Sequence, residues 1–192
     1  MKLTIILTTF FLLVISCQKN DAPVCFDEEP IDMPLYLPGD MEHGSLDACR
    51  NGDDWVASGW AKRIETDRDF FYVAGYTFTD YGAKREAFYI SYIPVKEGKY
   101  AIDGDENSIF GNTGHLYAHS NTSADDGDVA EDRYLLRESP QSWVEITHLD
   151  TLTNKVEGEF EVYLEVEAPK RGEQNADKLC FKRGRFSVDI IE

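Results

Sequence analysis

The stretch EFEVYLEVE, residues 159–167, constrains the fold of this chain more than any other. Phe160, Val162, Leu164 and Val166 alternate with Glu159, Glu161, Tyr163, Glu165 and Glu167. Successive side chains of an extended strand point to opposite faces. Alternation of this kind therefore specifies a strand with one face in a core and one in water. Such a strand needs partners, and the sequence supplies them. RDFFYVAGYTF and EAFYISYI are rich in aromatic and β-branched residues, as pleated surfaces favour. SWVEITHL runs through the polar turn DTLTN into the glutamate-rich strand, which predicts a hairpin. GRFSVDII, near the end of the sequence, sets Phe186, Val188 and Ile190 on one face. With WVASGWAKR, GKYAI, GHLYAH and RYLLR the total is about nine strands, and no segment carries a helical period. The expected fold is all-β, an antiparallel β-sandwich or flattened barrel over residues 45–192.

The first residues read differently. Lys2 precedes the apolar stretch LTIILTTFFLLVIS, which has the length of a signal-peptide core and is short for a membrane-spanning helix. LVISC resembles a bacterial lipobox, which implies that residues 1–16 are a signal peptide and that Cys17 is lipidated. Several acyl chains on one residue hold a protein firmly at a membrane. The following QKND resembles the export signal of Bacteroidetes surface lipoproteins, which implies an outer-membrane, cell-surface location. Residues 17–44, with Pro23, Pro30, Pro34 and Pro38, read as a proline-rich tether below the domain.

The formal net charge of -17 repels phosphate backbones, so no nucleic-acid partner is expected. An aromatic content of 12% argues that this charge belongs to a folded domain rather than a disordered chain. With Cys17 assigned to the lipid, Cys25, Cys49 and Cys180 remain. A Cys49–Cys180 disulfide is expected, since Cys49 immediately precedes the first predicted strand and Cys180 lies within the last; Cys25–Cys49 is the alternative. Three cysteines so spaced make a poor zinc site.

Three blocks carry a resemblance to a known family. ACRNGDDWVA resembles the Cys-x-Asn-Gly-x-x-Trp opening of a group of Bacteroidetes lipoproteins of unknown function. ITHLDTLTNKVEGEFEVYL resembles their Ile-Thr-x-x-Asp strand turning into a Gly-x-Phe strand. DKLCFKRGRFSVDI resembles their closing strand, a cysteine followed by Gly-x-Phe. The resemblance spans residues 48–191 and implies a β fold, an envelope habitat and core positions for Phe160 and Phe186. That family has no established activity, so no mechanism is implied, and a shared fold would not supply one.

The chemistry-bearing residues are sparse. No serine stands in a nucleophile-elbow context beside His43, His115, His119 or His148, so a hydrolytic triad is not indicated. His115 and His119 lie about 13 Å apart if their segment is a strand, too far to share an ion; ordinary surface histidines are expected. Asp103, Asp105 and Asn107 resemble the first half of an EF-hand loop, but Ser108 and Gly114 replace its glycine and bidentate glutamate. Calcium is therefore the one metal considered, held between these residues and Asp125, Asp126 and Asp128. No other cofactor is expected. Asp150-Thr151-Leu152 resembles a Bacteroidetes O-glycosylation motif and marks Thr151 as a modification site. Tyr72, Tyr76, Tyr89 and Tyr92 fall on neighbouring strands; facing outward, they would form a stacking surface for sugar rings or a protein. Because both faces of FFYVAGYTF are apolar, burial of these rings in the core is the expectation that competes with it and is favoured. The sequence thus points to a non-catalytic, lipid-anchored surface module that binds a glycan or an envelope protein. A polysaccharide-acting enzyme with paired carboxylates and a purely structural envelope protein are the alternatives.

Overall fold

In the computed structural model the alternating segments become ten strands. They are β1 (Gly44–Arg50), β2 (Asp53–Ile64), β3 (Asp67–Phe78), β4 (Lys84–Pro94), β5 (Gly98–Ile102), β6 (Tyr117–Ser123), β7 (Ala130–Leu136), β8 (Ser142–Asp150), β9 (Lys155–Val166) and β10 (Lys178–Ile191). The structure describes residues 37–104, 114–124, 127, 129–137, 140–173 and 175–191. Residues 1–36 fall outside them, and with them Cys17, Cys25, the expected signal peptide and most of the expected tether.

The strands form a single sheet in the order β1-β10-β2-β3-β4-β6-β7-β9-β8-β5, with further pairings of β1 with β2 and β10 with β9. These let the ladder run from β1 through β2, β3, β4, β6, β7, β9 and β10 back to β1, while β8 and β5 branch from β9. The sheet therefore curls around its own core as a flattened, branched barrel. Every pairing is antiparallel except where Ile190 and Ile191 meet Ala61 and Lys62. The all-β expectation holds. The strand that sequence reading missed is β1, whose GSLDACR has small residues and turns only two apolar side chains, Leu46 and Ala48, into the main core. It begins at Gly44, one residue before the expected boundary.

One face of each strand lines the core. Phe71, Phe88, Phe160, Phe181, Leu46 and Ile90 are almost wholly buried there. Trp55 packs edge-on against Phe88 at 5.8 Å and Phe181 at 5.0 Å. Its indole N–H donates to Glu86 Oε2 at 3.1 Å, and the Thr77 hydroxyl donates to the same oxygen at 2.9 Å. The other Glu86 oxygen is held by the Arg50 guanidinium. A carboxylate taken out of water needs this much compensation.

The Asn51-Gly52 pair has a plain structural role. Both residues take positive φ, 50° and 96°, in the tight turn joining β1 to β2, a conformation that Asn and Gly tolerate best. The Asn51 side chain then accepts from the Cys180 amide at 2.8 Å and donates to the Lys178 carbonyl at 2.9 Å, tying the turn to β10.

Cys49 and Cys180 pack together with Tyr163 in a small buried cluster on the side of the sheet away from the main core. Cys49 stands opposite Lys182, however, and Asn51 bonds the Cys180 backbone. The two cysteines are therefore diagonal neighbours, a relation that sets residues about 7–8 Å apart and their β-carbons somewhat closer, where a disulfide needs β-carbons about 4 Å apart. They are not joined to each other, and the expected Cys49–Cys180 bridge does not match this register.

Asp132 anchors the long β9–β10 connection. Buried on β7, it accepts from the Arg171 amide at 2.6 Å, the Gly172 amide at 3.1 Å and the Asn175 side chain at 2.7 Å.

Candidate functional site

Two features of the outer surface stand out, and both follow from side chains that the strands turn away from the core. The first is a row of aromatic rings. On β3, Phe71 and Val73 point inward, so Tyr72 and Tyr76 point out and are only half-buried. Trp60 on β2 meets Tyr72 at 5.3 Å and Tyr76 at 6.1 Å between ring centres. Tyr76 meets Tyr89 of β4 at 5.9 Å, and their hydroxyls are 2.9 Å apart. Tyr89 stacks on His119 of β6 at 4.7 Å, and His119 on Tyr117 at 5.8 Å. The row ends with Tyr92, 6.1 Å from Tyr117 and 6.0 Å from Phe70.

The neighbours of these groups alter their acid–base character. Burial, then the hydrogen bond to Tyr89, pushes the Tyr76 phenol far above its ordinary range, and burial raises Tyr72 as well. His119 is pushed down to about 4, first by burial and then by the Arg133 charge. It is a neutral ring wedged between tyrosines, where an ordinary surface histidine was expected. Its Nδ1 has no hydrogen-bond partner among the described residues.

These positions correct the expectation that the tyrosines fill the core. Tyr72, Tyr76 and Tyr89 lie on the outer face. Tyr92 is buried at a bulge, where it and Ser91 oppose Tyr72 and its φ is 61°. Strand alternation within FFYVAGYTF carried the signal for Tyr72 and Tyr76. The apolar character of both faces obscured it, because tyrosine and tryptophan on a solvated face look like core residues in a one-dimensional reading.

The second feature is a cleft of about 760 Å³ over β1, β2, β8, β9 and β10, lined among others by Asp54, Trp143, Glu159, Glu161, Arg183 and Arg185. Cross-strand register builds it. Asp47 faces Arg185, Arg185 faces Glu159, and Glu161 faces Trp143. Arg185 donates to Asp47 at 2.8 Å and 3.2 Å, and the Lys99 ammonium lies 3.3 Å from the centre of the Trp143 indole ring. The cleft arises from a bulge. On β10 the register slips against both neighbours at the same place, between Phe181 and Gly184 on one side and opposite Ala48 on the other. Arg183 is the residue inserted on both edges, with φ of 51°. Bulges bend a strand and re-aim its side chains, and here the bend makes the outer face concave. The outward alternation of Glu159 and Glu161 was legible in the sequence; the bulge was not.

Asp103 is exposed, whereas Asp105, Asn107, Asp125, Asp126 and Asp128 lie outside the described residues. Among the described residues no group of three or more His, Cys, Asp or Glu side chains could hold a metal. His115 is exposed and precedes β6. Thr151 is exposed in the β8–β9 turn, where Asp150 accepts from the Leu152 and Thr153 amides and the Thr153 hydroxyl.

Chemically, the row offers apolar ring faces and phenol hydroxyls, the combination that stacks on sugar rings or on flat apolar surfaces. The cleft offers carboxylates, the guanidinium groups of Arg183 and Arg185, and the Trp143 indole on its outer wall. Glu159 and Glu161, two apart on β9, stand about 7 Å apart along the strand, near the separation used by inverting glycosidases. Glu159 is exposed, however, and a general acid needs a desolvated setting to hold its proton. No family model, no curated protein and no solved structure matches this chain.

Proposed function

We propose that this protein is a lipid-anchored envelope lipoprotein, held at the outer membrane through Cys17 and facing the cell surface, whose β domain binds a glycan chain. The observation that carries this reading is the aromatic row from Trp60 through Tyr72, Tyr76, Tyr89 and His119 to Tyr117. Rings in file across four adjacent strands offer repeated stacking at the spacing of neighbouring strands, about 5 Å. A polymer with repeating ring faces uses that arrangement better than a single small molecule does. A proline-rich tether ahead of Leu37, where the chain first pairs with the sheet, fits the reading, since a glycan-binding domain works best held clear of the membrane. The acidic charge of the chain makes an uncharged polysaccharide a better partner than an acidic one.

The test is affinity electrophoresis of the soluble domain in gels cast with neutral polysaccharides, comparing wild type with Trp60→Ala and Tyr72→Ala. Retardation that each substitution weakens supports the reading. Retardation by none of the polysaccharides rejects it and turns attention to an envelope protein on the same face.

A further inference from the structure

We infer that the cleft over β1, β8, β9 and β10 is a second binding site, one that takes a single sugar ring free of acidic groups. It is separate from the aromatic row: along the outer face of β2, Val56 borders the cleft while Trp60 belongs to the row, about 13 Å further on.

Three independent observations point to this site. The cavity, at about 760 Å³, falls in the range of small-ligand pockets. Its groups are those that read hydroxyls: carboxylates that accept, a guanidinium that donates two parallel hydrogen bonds, and an indole face for the C–H side of a ring. The third is Arg183. It is an L-residue in the left-handed region, a conformation that costs stability and that glycine would adopt freely. Its side chain is exposed, lines the cleft, and makes no ion pair among the described residues, although Glu159 and Glu161 are on the next strand. Arg185, by contrast, is committed to Asp47. Arg183 thus takes a strained backbone conformation, carries a positive charge and, among the described residues, lines the cavity without an ion-pair partner.

The charge of the lining sets the ligand class. Asp47, Asp54, Glu159 and Glu161 outnumber Arg183 and Arg185, so uronates and sulfated sugars are repelled. Neutral and amino sugars are not.

The experiment is calorimetric titration with mannose and glucosamine oligosaccharides, and with galacturonate oligosaccharides as the acidic comparison. It uses wild type, Arg183→Gly, Glu159→Gln and the row variant Trp60→Ala/Tyr72→Ala. Glycine suits the backbone at 183, so Arg183→Gly keeps or raises the melting temperature, and a loss of binding there reports the guanidinium. The expected result is binding of an acid-free oligosaccharide that falls about tenfold or more in Arg183→Gly and in Glu159→Gln. Binding lost only in the row variant overturns the cleft and leaves the row. Binding lost only in the cleft variants upholds the cleft and removes the row. Equal binding of galacturonate overturns the ligand class, and the absence of any binding overturns the site.

Discussion

Phe160 stands directly opposite Gly184 across the β9–β10 ladder, and Phe186 stands opposite Gly158. The two Gly-x-Phe motifs are therefore halves of one device, each ring lying over the glycine of the other strand, with the rings 6.4 Å apart in the core. A β-carbon on Gly184 would sit 2.5 Å from the Phe160 ring, and one on Gly158 would sit 2.4 Å from Phe186 and 2.3 Å from the Glu145 carbonyl. Neither glycine has a positive φ, so what glycine supplies here is space.

Gly184→Ala should accordingly destabilise by overpacking, about 1–3 kcal/mol. For a domain of this size each kcal/mol lowers the melting temperature by about 2–4 °C. The measurement is a thermal melt against Ser187→Ala, an exposed neighbour on the same strand that should melt like wild type. Equal melting of the two variants would show that Phe160 can move aside at no cost.

Glu86 is the acceptor for Arg50, Trp55 and Thr77 at once. Glu86→Ala leaves a buried guanidinium unpaired and should cost about 3–5 kcal/mol. Arg50→Met combined with Glu86→Gln should cost less than Glu86→Ala. The amide oxygen still accepts from the indole and the hydroxyl, and no charge remains buried. Urea denaturation of the three proteins decides it; a double variant as unstable as Glu86→Ala would show that the ion pair itself holds the core.

Strands were legible because their signal is local. Phe160 to Val166 alternates whatever surrounds it, and nine of the ten strands were found from such patterns. The residues that shape the outer surface were legible only in part. Tyr72 and Tyr76 could be listed but not faced, since a half-buried aromatic face and a core face have the same composition. Arg183 could not be singled out, because its role depends on a slip of register against β1 and β9 together. The diagonal offset of Cys49 from Cys180 has the same origin. Cys180 was rightly set within the last strand, but Cys49 was expected just ahead of the first strand and instead lies on β1; which residues stand opposite is decided by the turn at Asn51-Gly52 and the bulge on β10.

Asp132 holds residues 171, 172 and 175 through their hydrogen-bond donors. Asp132→Ala deprives two backbone amides of their acceptor, at about 1–3 kcal/mol for each group left buried and unsatisfied. The loss should first appear as local opening of the β9–β10 connection. Limited trypsin digestion tests this through Lys170 and Arg171: cleavage there should accelerate in the variant while sites in the strands stay protected. Unchanged cleavage would assign the loop's order to the Lys170–Asp177 ion pair at 2.8 Å instead.

His119 makes stability depend on pH in a defined window. In the folded protein its pKa is pushed down to about 4 by burial and by Arg133, against an ordinary 6.5. Between these values the unfolded chain binds a proton that the folded chain does not, so acidification favours unfolding. The contribution is fully present above about pH 6.5, is lost progressively as the pH falls toward 4, and changes no further below that. It amounts to roughly 3 kcal/mol across the window, from 1.36 kcal/mol per pKa unit. His119→Phe keeps a ring between Tyr89 and Tyr117 and removes the titrating nitrogens. Melting temperatures of the two proteins at several values between pH 4 and pH 7 should therefore diverge, the wild type falling more steeply on acidification. Parallel curves would mean that His119 is protonated in the folded state as easily as in water, and that the aromatic row is open to solvent at its centre.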